Sequence, residues 1–168
     1  MMGRAIIRRF RNSRFGQSEV GASLLEFGVV MPFMLLLMAL MVEAGRFMWS
    51  YQVTLEGVRE AGRYLARVAP VELCRDGGTV AGLNATLFDI VQNNSANNSL
   101  FPNHVSVNSV TATHTCVPGA FRINPTPVGT VTASLTIDFP FSGITSLFGA
   151  EMTTMTTTIQ DQGRIFGQ

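Results

Sequence analysis

From Gly21 to Val42 the chain reads GASLLEFGVVMPFMLLLMALMV, with one charged residue, Glu26, near its start. The uncharged part, Phe27 to Val42, is sixteen residues. As a helix it would cover ~24 Å, short of a hydrocarbon core of ~30 Å. Extended back to Gly21 the run covers ~33 Å and spans, provided that Glu26 enters the membrane or its interface. Pro32 inside the run is compatible with a kinked membrane helix.

Beyond Val42 the pattern changes from uniformly apolar to amphipathic. Phe47, Tyr51, Leu55, Val58, Ala61 or Gly62, Leu65 and Val68 recur at steps of three and four, the repeat of one helix face. Gln52, Glu56, Arg59, Glu60, Arg63 and Arg67 lie opposite. One helix is therefore expected from about Ala22 to Ala69, stopped by Pro70. A second, Thr79 to Gln92, would turn Val80, Leu83, Leu87, Ile90 and Val91 to one side. Alternation predicts strands at Val105–Thr113, Thr130–Phe139 and Met152–Gln160. Val117 to Val128, with Pro118, Pro125 and Pro127, reads as a loop, and the tail after Asp161 as frayed. The whole is an α+β chain: a long N-terminal membrane-plus-amphipathic helix packed on a small, mainly three-stranded antiparallel extracytoplasmic sheet. Its parts would be a basic leader (1–21), the helix (22–69) and a small outer α+β domain (70–168). Ile144, Leu147 and Phe148 form an apolar patch, read as core beneath the sheet or as a contact with membrane or a neighbouring subunit.

Charge orients the chain. All twelve basic residues are Arg. Arg4, Arg8, Arg9, Arg11 and Arg14 precede the apolar run, against the single acid Glu19. From Ala22 onward seven Arg face ten Asp or Glu, a balance of −3. By the positive-inside rule the N-terminus stays in the cytoplasm and the body lies outside. Nucleic acid is not an expected partner, because the body lacks clustered basic residues. Three fates are open to the run: a cleaved secretory signal, a plain signal anchor, or a leader cut ahead of the apolar stretch. A carboxylate at the bilayer centre costs ~2.5–3.5 kcal/mol or more, so Glu26 needs a reason. It either snorkels at the cytoplasmic face or has a specific partner.

Gly21-Ala22-Ser23-Leu24-Leu25-Glu26-Phe27 resembles the prepilin peptidase site of the type IV pilin superfamily: a basic leader ending in Gly, then Glu as the fifth mature residue, often followed by Phe. With EFGVVMPFMLLLMALMVEAGRF and REAGRYLAR, the stretch 18–69 is similar to the TadE-like pseudopilins of the tight adherence (Tad/Flp) pilus system. The resemblance implies a cut between Gly21 and Ala22, and an assembly role for Glu26 and Phe27, with Glu26 neutralising the new N-terminal amine of an adjacent subunit. It implies an inner-membrane protein with a periplasmic body, in or at the tip of a pilus. The implied partners are other pilins and pseudopilins, the prepilin peptidase, the inner-membrane assembly platform and membrane lipid. About a hundred residues follow the helix, which suits a minor rather than a major pilin.

Cys74 and Cys116, the two cysteines, fall on the outer side. There they most simply form one disulfide, with two separate buried thiols as the alternative. No metal or cofactor is expected, since there is no CxxC and His104 and His114 lack ligand spacing. No catalytic motif is present, and Asp89 with Asp138 would be a carboxylate pair only by default. The expectation is a structural protein, with a signal-anchored binding domain as the alternative.

Overall fold

The computed structural model describes residues 19–146, 149 and 153–167. The leader arginines, Leu147, Phe148, Met152 and the Ile144 side chain lie outside the described residues. The chain divides between Val42 and Glu43 into two units. Helix α1, Glu19–Val68, is assigned continuously through Pro32. It is followed by a short helix α2 (Leu73–Asp76), a 3₁₀ turn (Ala81–Leu83) and helix α3 (Asn84–Gln92). Then come β1 (Val105–Val117), β2 (Thr126–Asp138), a short helix α4 (Ser142–Ser146) and β3 (Thr154–Arg164). The strands form one antiparallel sheet in the order β1-β2-β3, so the class is α+β as expected.

Up to Val42, α1 is apolar and exposed: no part of its most hydropathic window is buried. In the second unit, Val58, Ala61, Leu65 and Ala69 of α1 share a core with Leu73, Val80, Leu87, Val91, Val110, Val131, Ala133, Ile159 and Ile165. Fully burying a side chain such as Leu65 or Leu87 contributes ~1.5–3 kcal/mol. The period-two face of β2 is clean: Val131, Ala133, Leu135 and Ile137 are buried.

The buried stripe of α1 departs from expectation near Glu43. Tyr51 and Val68 are exposed at 36% and 45%, whereas Ser50 and Thr54 are fully buried. Both hydroxyls donate to the carbonyl four residues earlier, Ser50 to Arg46 and Thr54 to Ser50, each at 2.8 Å. A satisfied small side chain can be buried at little cost, and it allows closer approach than a ring. Phe47 and Tyr51 instead stack on each other, with ring centroids 6.3 Å apart.

Three further expectations are corrected. The expected helix Thr79–Gln92 is a 3₁₀ turn leading into the shorter α3. The expected loop at Val117–Val128 is shorter, residues 118–125, because β1 runs on to Val117 and β2 starts at Thr126, with Cys116 paired to Pro127 and Val117 to Thr126. Pro127 has no N–H to give, but its carbonyl accepts from Ile165 N at 3.0 Å, so a proline at the start of a strand loses one bond only. The tail is not frayed: Ile165 is fully buried, and Phe166 N donates to the Ala66 carbonyl at 3.0 Å. Burial of one isoleucine side chain holds it.

Two glycines of α1 should respond to substitution in opposite directions. A methyl group at Gly57 would stand 3.1 Å from Val91 Cα and 3.2 Å from its carbonyl oxygen. That is main chain of α3, which cannot move aside alone. Gly57→Ala should therefore cost about 1 kcal/mol, overpacking outweighing the helix gain. At Gly62 the methyl would meet only Asp161 Oδ2, at 2.9 Å, the movable end of a side chain. Gly62→Ala should be neutral or stabilising by about 0.5 kcal/mol. Urea denaturation of the full chain in detergent separates the two.

Candidate functional site

The residues singled out for processing and assembly, Gly21, Ala22, Glu26 and Phe27, all fall within α1. Ala22 and Glu26 are four residues apart and share a face, one turn from each other. Glu26 and Phe27 are exposed. Leu24, Leu25, Phe27, Val29 and Val30 are exposed on all sides of the same stretch. Among the described residues no salt bridge reaches Glu26. An exposed apolar cylinder of this length is suited to lipid. The long apolar helix thus has the form of a single-pass membrane anchor.

Immediately after the anchor the structure shows a polar cluster that the sequence did not flag. Glu43 is almost buried, at 9% exposure. Its Oε1 accepts from Phe141 N at 2.9 Å and its Oε2 from Arg46 Nη1 at 3.3 Å. Arg46 Nη2 donates to the Asn103 carbonyl at 3.0 Å. The loops before β1 and after β2 are thereby fastened to α1 by charge-assisted bonds. The available signal was an i,i+3 Glu–Arg pair directly behind an apolar run. Its partners, far away in sequence, could not be read.

Further along, α1 forms one wall of a groove of about 630 Å³ lined by Trp49, Gln52, Val53, Arg59, Ile90 and Leu100, among others. The helix pair Glu60–Arg63, at 3.5 Å, is exposed and contributes little. Cys74, on α2, and Cys116, near the end of β1, are joined by a disulfide with Cα atoms 5.7 Å apart. Asp89 is exposed on α3 and Asp138 is exposed at the end of β2. His104, with φ of 72°, precedes β1, and its carbonyl accepts from Asp138 N at 2.8 Å. Among the described residues no group of three or more His, Cys, Asp or Glu could hold a metal ion.

Comparison with known proteins gives one finding. No curated protein and no solved structure matches the chain. Residues 21–63 match the model of a family described as TadE-like protein. The match begins at Gly21, takes in Glu26 and the whole apolar run, and ends at Arg63 of α1. Over that stretch the chain is similar to the TadE-like family, which is associated with the Tad pilus.

Proposed function

We propose that this protein is a minor pilin, or pseudopilin, cut after Gly21 by a prepilin peptidase and used in assembling a Tad-type pilus. The observation that carries the proposal is the position of Glu26. It is the one charge between Gly21 and Val42, an otherwise apolar stretch of α1 with no buried residue, one turn beyond Ala22 and inside the segment that matches the TadE-like family. A cut after Gly21 frees an α-amino group at Ala22. In lipid that amine and the Glu26 carboxylate are each costly alone, and pairing between neighbouring subunits offsets much of the cost. The Arg-rich leader keeps the N-terminus cytoplasmic and places the sheet domain in the periplasm. Other pilins, the peptidase and the inner-membrane platform are the partners this scheme requires.

The test is the N-terminal sequence and mass of the protein from membranes of cells with and without the peptidase. A chain starting at Ala22 is expected only when the enzyme is present, and Gly21→Val should block the cut. An intact N-terminus in both strains would refute processing. A second reading, a signal-anchored binding domain with no filament role, draws on the groove beside Trp49. It is favoured if Glu26→Leu leaves pili unaffected.

A further inference from the structure

The two margins of the sheet are built differently. An edge strand exposes unpaired N–H and C=O groups, and most proteins blunt such edges with a bulge, a proline, a lysine or a cover. On β1 these devices are present. The register shifts between Val107 and Ser109. Ala112 N, which faces away from β2, donates to Asn84 Oδ1 of α3 at 2.9 Å. Cys116 is tied to Cys74.

On β3 none of them is found among the described residues. Its pairing with β2 is regular from Thr154 to Arg164, without proline or lysine, and its first charge is Asp161. The direction of its main-chain groups follows from the two ends of the ladder. Phe139 N donates to the Thr153 carbonyl and Ile165 N to the Pro127 carbonyl. Hydrogen-bonded and non-hydrogen-bonded pairs alternate in an antiparallel ladder. Odd-numbered residues of β3 therefore turn their N–H and C=O towards β2. Thr154, Thr156, Thr158, Gln160 and Gln162 turn theirs outwards. Among the described residues none supplies a main-chain partner for them.

We propose that β3 is a docking edge whose occupant is β3 of a second copy, paired antiparallel about Thr158. The outward-facing residues from Thr154 to Gln162 are uncharged and centred on Thr158. Two-fold pairing there sets Thr154 opposite Gln162, Thr156 opposite Gln160 and Thr158 opposite its own copy. Hydroxyl and carboxamide groups both donate and accept, so each of these pairs is self-complementary. Asp161 would face Met155, and no like charges meet. The outer face continues across the seam without a charge: Thr111, Thr132 and Gln160 lie in one row, Ser109, Ser134 and Thr158 in the next. An apolar anchor confines copies to one membrane, which raises the concentration at which such edges meet. The interface is isologous and closes on itself as a dimer. It is independent of whether the leader is cut.

The test is oxidative cross-linking of the full chain in its membrane, using Thr158→Cys. Opposed Cα atoms in a hydrogen-bonded pair are about 5.5 Å apart, within disulfide reach. Thr111→Cys, equally exposed on the outer face but on β1, measures random collision. At least about tenfold more covalent dimer is expected from Thr158→Cys than from Thr111→Cys. Adding Thr156→Pro deletes one outward N–H and leaves the β2–β3 bonds in place. It should abolish the excess while the thermal melt stays two-state. Equal cross-linking of the two cysteine variants would overturn the proposal. So would an excess that survives Thr156→Pro, or a Thr158→Cys adduct with a different chain.

Discussion

Glu26→Gln is expected to remove pili from the cell while leaving the protein in the membrane at its normal level. Glutamine keeps the shape and one acceptor of the carboxylate but not the charge. If the carboxylate neutralises a neighbouring subunit's amine, its removal leaves that amine unpaired in a poorly polar medium. Breaking a buried pair in this way costs about 3–5 kcal/mol, or two to three orders of magnitude in an assembly constant. Glu26→Leu sharpens the comparison. Exchanging the acid for leucine favours insertion, by at most roughly 3 kcal/mol, so a loss of pili with Leu cannot be laid to a failed anchor. Counting pili by electron microscopy, alongside membrane blots, reads both quantities. Normal piliation with Gln would sink the proposed role of Glu26, whatever the N-terminal sequence shows.

Replacing Cys74 and Cys116 together by serine should lower the stability of the sheet domain by about 4 kcal/mol, from loop-closure entropy alone. The bridge spans a sequence separation of 42 residues and fixes α2 to the end of β1. A domain of this size unfolds with a net free energy of roughly 5–15 kcal/mol, so the loss is a large share of the total. At about 3–5 °C per kcal/mol the melting temperature should fall by ~15 °C. Reduction of the unmutated protein with dithiothreitol should reproduce the shift. A melting temperature that moves by no more than about 3 °C in both experiments would show that the bridge stabilises little.

Local patterns were legible. The apolar run, the long helix, the strand centred on Val131 to Ile137 and the α+β class follow from periodicity. What periodicity left out depends on partners distant along the chain. Ser50 and Thr54 read as polar, yet they line the inside of α1 because their hydroxyls close on the preceding turn. Pro127 read as a loop residue because local rules count its missing N–H but cannot see that its carbonyl is taken by Ile165. Ile165 lay in a short tail with only Phe166 as an apolar neighbour, too short for any periodicity to show. Glu43 and Arg46 carried no local signal beyond their i,i+3 spacing, and their bonds to Phe141 and Asn103 span 98 and 57 residues. The open edge of β3 is of the same kind. A threonine-rich strand is visible in the sequence, but which of its main-chain groups point outwards depends on register with β2.

The groove beside α1 also makes the molecule self-reporting. The chain contains one tryptophan, and Trp49 lies in the groove wall, half exposed at 52%. Intrinsic fluorescence therefore comes from that wall without labelling. A partner that covers it will shift the emission to shorter wavelength, while one that docks elsewhere will leave the spectrum where it was.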